Sequence, residues 1–166
     1  FRRRPTILLE SVGRLTGRLQ AALHGFNDPV LDLQGIPWAP AHASSVITAA
    51  SEAISEEDAG RLYQRIADSI TDDLAHLFAL PAAALHNDVN DDNLLLVEGA
   101  PETAEPEGLA LLDFGDAVLG PMIIEVATAA LYSAAAAFEP LPAAARVVAG
   151  FTRERGISEE EAELIR

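Results

Sequence analysis

The sequence predicts a mostly helical α+β body with one short β-hairpin set beside a polar loop. Three observations predict it. Apolar residues recur at spacings of three and four over residues 5–24 and 55–80. Two short apolar runs, Leu94–Val97 and Leu109–Leu112, flank a stretch rich in Pro, Gly and Glu. Helix-start signals return after residue 120. A chain of 166 residues that is 49% hydrophobic can bury a core for one domain.

Residues 5–24 read as an amphipathic helix, with Leu8, Val12, Leu15, Leu19 and Leu23 on one face. Pro5 suits its first turn and Gly25 its C-terminal cap. Residues 25–54 contain Asn27-Asp28-Pro29, Gly35, Pro37 and Pro40, and read as mostly loop. Residues 55–80 form a second helix. Ser55 is placed to cap it, Glu56, Glu57 and Asp58 fill its first turn, and Pro81 ends it. Leu62, Ile66, Ile70, Leu74 and Leu77 line one face. Residues 86–116 hold two polar loops and the hairpin, whose strands are joined by the acidic stretch 98–108. Residues 121–166 return to helix, at about 121–138, 141–154 and 158–166. Ser158 with Glu161 matches a capping box. The alanine-rich stretch 127–137 fits a tightly packed core helix.

Composition narrows the function classes. The formal charge is −15, which repels nucleic acid and anionic membranes and favours a cationic substrate such as an amine. An acidic solubility coat explains the same charge equally well. No apolar run approaches the roughly 18 residues of a membrane span, and the basic start at Arg2–Arg4 does not lead into an unbroken apolar segment. There is no cysteine, which excludes disulfides, thiolate metal sites and a Cys nucleophile. A reducing cytoplasm is the expected compartment. All eleven basic residues are arginine.

The chemistry lies in His86-Asn87-Asp88, in Asn93, and in Asp113-Phe114-Gly115. Phosphoryl transfer needs a group to orient a hydroxyl nucleophile and ligands to hold Mg²⁺ against nucleotide phosphates. Mg²⁺ prefers hard oxygen ligands and keeps some of its water. Asp88 can accept a hydrogen bond from the nucleophile and later its proton. Asn93 can turn a side-chain oxygen toward the metal. A hairpin pairing 94–97 with 109–112 brings Asn93 and Asp113 to one end, although 20 residues separate them. The His-x-Asp-x4-Asn spacing alone would arise by chance in roughly one such chain in a hundred. Adding Asp-Phe-Gly after an intervening hairpin makes coincidence far rarer.

These two loops, His86 to Asn93 and Leu112 to Asp116, resemble those of the aminoglycoside phosphotransferase/choline kinase superfamily, and within it the hydroxylysine kinase-like proteins and the phosphotransferase domains fused to class III aminotransferases. Asn90-Asp91, Glu125-Val126-Ala127, Leu23-His24-Gly25-Phe26 and Trp38 fit that branch. The resemblance covers about residues 7–155. It implies the large, C-terminal lobe of a protein-kinase-like fold. It also implies a small-molecule kinase that moves the γ-phosphate of ATP or GTP to a hydroxyl of an amino acid, amino sugar or aminoglycoside. Asp88 would be the catalytic base, with His86 a structural residue of the same loop. Asn93 and Asp113 would bind Mg²⁺ beside the nucleotide. Glu125 would brace the catalytic loop, and Asp116 would support it in a role not specified.

The chain has no lysine and no glycine-rich loop. Kinase-like folds use both in a small lobe that clamps the nucleotide. That N-terminal lobe is therefore expected upstream, and these residues alone are expected to turn over little or nothing. A non-catalytic or regulatory module of a larger protein is the alternative, and the intact Asp88, Asn93 and Asp113 argue against it. A metal-dependent hydrolase is disfavoured by Asn93 and the Asp-Phe-Gly. Protein kinases usually carry Arg where this chain has Asn87, and an Ala-Pro-Glu that it lacks. His24, His42 and His76 have no partner at metal-ligand spacing, and Asp91-Asp92 reads as a solvated turn. Trp38 fits a pocket wall or simple packing equally well.

Overall fold

The computed structural model describes residues 6–31, 36, 39, 42–96 and 108–165, and the account that follows concerns those residues. Its elements are helix α1 (Thr6–Ala22), α2 (Ala43–Ala53), α3 (Glu57–Leu77), strands β1 (Ala82–Leu85), β2 (Leu94–Leu96), β3 (Leu109–Leu111) and β4 (Val118–Pro121), then α4 (Ile123–Ala135), α5 (Pro140–Glu154) and α6 (Glu159–Glu163). The mostly helical α+β reading holds. Pro5, Gly35, Pro37, Trp38, Pro40, Val97 and the acidic stretch up to residue 107 lie outside the described residues.

The core is built by α1, α4 and α5. Glycine sets how two of them meet. A Cβ at Gly13 would lie 1.9 Å from the Val147 carbonyl oxygen, and one at Gly150 would lie 2.1 Å from that of Glu10. The backbones of α1 and α5 therefore touch, and no larger residue fits at either crossing point. This corrects the expected face of α1. Leu9, Val12, Thr16 and Gln20 are buried with the glycines, whereas Leu8, Leu15, Leu19 and Leu23 are only half-buried. Around the crossing pack Val126, Ala129, Ala143, Val147 and Phe151. Arg14 and Arg18 reach across from α1 to Glu154 on α5, at 2.6 and 3.2 Å. The Arg14 guanidinium holds that carboxyl below the usual carboxylate range.

Two further expectations need correction. Residues 25–54, read as mostly loop, contain the eleven-residue helix α2. Its Ala, Ser and Thr content masked a helix that packs against α3. Ser55 is not the cap of α3; Glu56 holds that position and makes no side-chain capping bond. The apolar face of α3 is covered toward its C-terminal end: Leu74 and Leu77 are half-buried, whereas Leu62 is 57% exposed and Ile66 50%. By contrast, the capping box of α6 forms, with Ser158 Oγ accepting from Glu161 N and the Glu161 carboxylate accepting from Ser158 N.

Four strands make two small antiparallel sheets. The hairpin pairs Leu94 with Leu111 and Leu96 with Leu109. The other sheet pairs Ala82 with Pro121 and Leu85 with Val118. It is invisible to local pattern, because Ala82–Leu85 reads as helix-compatible and Gly120-Pro121 as a break. The topology places the site. The polar loop 86–93 leaves β1 and enters β2, and residues 112–117 leave β3 and return to β4. Both loops span the same two sheets, so pairing at each end holds them side by side.

Candidate active site

Leu112 ties the two loops together through its backbone. Its N–H donates to the Asn93 carbonyl at 2.9 Å, and its carbonyl accepts from His86 Nε2 at 2.8 Å. Asp113 follows directly, so Asn93 and Asp113 stand at one end of the hairpin, as strand pairing demands. His86 is fully buried. Its Nδ1 accepts from the Asp88 backbone N–H at 3.3 Å. A carbonyl on one nitrogen and an N–H on the other require the neutral Nε2–H tautomer. The imidazole packs edge-on against Phe114, ring centres 4.6 Å apart. Both imidazole nitrogens are thus committed to the backbone, which suits a scaffold rather than a proton carrier.

Asp88 is half-buried and faces two amides. Asn90 Nδ2 donates to Oδ1 at 2.8 Å. Asn93 Nδ2 donates to Oδ2 at 2.8 Å and to the Asp88 carbonyl at 2.9 Å. With its NH₂ group turned onto Asp88, Asn93 directs Oδ1 the other way. Asn90 Oδ1 accepts from the backbone N–H groups of Asp92 and Asn93, at 2.8 and 3.0 Å, and so closes the turn. Sequence reasoning places Asn90 in the motif without a role. Its signal is the liking of Asn for turns, where its side chain bonds the backbone two residues on.

Asp113 adopts a left-handed backbone, φ 59°, and its Oδ1 accepts from Gly115 N at 3.1 Å. The carboxylate is exposed. Asn87, at φ 68°, is the other non-glycine residue with positive φ among the described residues. Asn and Asp tolerate this region better than other side chains. Asn87 is buried, with its Nδ2 unpartnered. Asp116 is half-buried at the end of the short turn Phe114–Asp116.

Glu125, in the first turn of α4, lies beneath the loop and is fully buried. Its Oε2 accepts the His86 backbone N–H at 2.6 Å, and Oε1 has no partner. Burial pushes its pKa up to about 7, against the opposing hydrogen bonds from the His86 and Asn87 backbones.

The hard oxygens here suit a magnesium ion. They are an Asn93 amide oxygen turned away from Asp88 and an exposed Asp113 carboxylate. Among the described residues no group of three or more His, Asp or Glu is arranged to hold a metal. A metal at this point would share its coordination with ligand phosphates and water, as Mg²⁺ commonly does. None of the described helices is long and apolar enough to cross a membrane.

The sequence profile of the phosphotransferase enzyme family matches residues 6–161. Hydroxylysine kinase of Mus musculus is 26% identical over 153 residues, covering 86% of this chain and 39% of that protein. Hydroxylysine kinase of Bos taurus is 27% identical over 156 residues, covering 87% and 40%. The chain spans about two-fifths of the length of these relatives.

Proposed function

The chain belongs to the phosphotransferase enzyme family, and from that premise we propose that it is the large, C-terminal lobe of a small-molecule kinase. The observation that carries this reading is the orientation of Asn93. Its amide N–H groups are spent on Asp88, which turns its oxygen outward at the hairpin end shared with Asp113. A base and a two-residue metal site then stand back to back.

Asp88 accepts the acceptor hydroxyl's hydrogen bond on a carboxylate already fixed by two amides, and takes its proton as the hydroxyl oxygen bonds to the terminal phosphorus, whose bond to the bridging oxygen breaks to release ADP or GDP. Asn93 and Asp113 would hold the metal. The chemistry a Mg²⁺ ion would supply there is charge neutralisation on the phosphates of ATP or GTP. His86 and Glu125 keep the loop backbone in place, and Asp116 ends the turn that presents Asp113.

The acceptor is an alcohol carried by an amine-bearing molecule. The −15 formal charge supports a cationic acceptor. Both relatives are named hydroxylysine kinase, which makes hydroxylysine the first acceptor to test. The clamp for the nucleotide comes from another part of the protein, a reading supported by the lack of any lysine in these 166 residues.

The test supplies full-length protein with Mg²⁺ and ATP or GTP, and screens hydroxylysine, other hydroxy-amino acids, amino sugars and aminoglycosides for nucleotide consumption. Asp88→Asn should abolish the activity found. An Asp88→Asn protein as active as the parent would sink the assignment.

A further inference from the structure

We infer that Asn90 is a positioning residue that locks the base and the metal ligand into one unit; the inference rests on the phosphotransfer reading above. Three hydrogen-bonded links close a ring. Asn90 Nδ2 holds Asp88 Oδ1 at 2.8 Å. Asn90 Oδ1 holds the Asn93 backbone N–H at 3.0 Å, and that of Asp92 at 2.8 Å. Asn93 Nδ2 returns to Asp88 Oδ2 at 2.8 Å. One carboxamide therefore acts as donor to the base and as acceptor for the segment that carries the metal ligand.

The residue type follows from this double task. Asp88 has both oxygens engaged, Oδ1 by Asn90 and Oδ2 by Asn93, so its carboxylate plane cannot turn without breaking a bond. Asn93 can present Oδ1 outward only while its backbone is held. Aspartate at position 90 would keep the acceptor for the turn, but would lose the donor and set a like charge against Asp88. Alanine would lose both halves. Asparagine supplies an uncharged donor and an uncharged acceptor on two separate atoms, so one can face Asp88 while the other faces the turn.

The two halves are separable by experiment. The full-length protein is assayed with Mg²⁺-ATP or Mg²⁺-GTP and the acceptors screened above. Asn90→Asp should lower kcat about ten- to hundredfold, with KM for both substrates and the half-saturating Mg²⁺ concentration within about twofold of the parent. Asn90→Ala should lose at least as much kcat and also raise the Mg²⁺ requirement. A readout that needs no acceptor is exchange of the Asn93 side-chain amide protons, followed by NMR. It should quicken in Asn90→Ala.

A role confined to folding predicts a different pattern: kcat would fall only in step with the melting temperature, in both variants alike. That pattern overturns the inference, as does an Asn90→Asp enzyme with parental kcat or an Asn93 exchange rate unmoved in Asn90→Ala. Asp88→Asn, assayed in parallel, separates the two levels. If it keeps activity, the phosphotransfer reading fails and takes this inference with it. If it is inactive while Asn90→Asp behaves as the parent, Asn90 alone has been misassigned.

Discussion

The backbone N–H of His86 donates to a carboxylate oxygen of Glu125 across 2.6 Å, inside the core and 39 residues away in sequence. The loop that carries Asp88 therefore hangs from the first turn of α4. Removing the acceptor leaves a buried donor without a partner, which costs about 1–3 kcal/mol. Glu125→Ala should lose at least that much, with a further cavity cost, and Glu125→Gln much less, because its amide oxygen can still accept. Urea denaturation of both variants decides it. Equal losses would show that the hydrogen bond is not what matters.

The same carboxyl makes stability depend on pH. Glu125 titrates near 7 in the folded protein against an ordinary value of 4.5, so the folded state holds the proton more tightly. Its contribution is complete below pH 4.5 and is lost as pH rises through about 7. The whole loss is on the order of 3 kcal/mol. Glu125→Gln should remove the falling slope across that window. The check is a set of denaturation curves from about pH 5 to 8 for parent and variant.

At the helix crossing, Gly13→Ala and Gly150→Ala each drive a Cβ into a backbone carbonyl of the facing helix, at 1.9 and 2.1 Å. Each should destabilise by about 3 kcal/mol or more. A Cβ added at Gly156 would meet nothing within 4 Å, and the φ there is not in the left-handed region, so Gly156→Ala is the neutral control. Thermal melts of the three variants test the contact.

Asp113→Asn retains the acceptor that Gly115 N uses, so the turn should survive while the charge is lost. The half-saturating Mg²⁺ concentration should rise at least about tenfold, with the melting temperature little changed. A Mg²⁺ titration of activity beside a thermal melt separates a metal ligand from a structural residue.

Much of the site was legible because it is local. The hairpin announced itself as two apolar runs about a breaker-rich stretch, and its register made Asn93 and Asp113 neighbours. The α6 capping box needs only three residues of spacing. Other features had no local signal. The pairing of β1 with β4 joins an alanine run to a Gly-Pro end that reads as a break. α2 was hidden among turn residues. The buried face of α1 followed its glycines rather than its leucines, because close backbone approach depends on Gly150 of α5, which α1 cannot announce.

By itself the sequence named the proposed donor set: one aspartate, one asparagine and a second aspartate on loops that a hairpin must gather. It also determined the absence of lysine and cysteine chemistry. Only the tertiary structure decided how those groups are aimed and charged. Asn93 keeps its oxygen away from Asp88 because its N–H groups meet that residue, and Glu125 titrates near 7 because packing strips it of water. Spacing along a chain limits which atoms can meet; hydrogen-bond direction and desolvation depend on what distant segments bring to the same point.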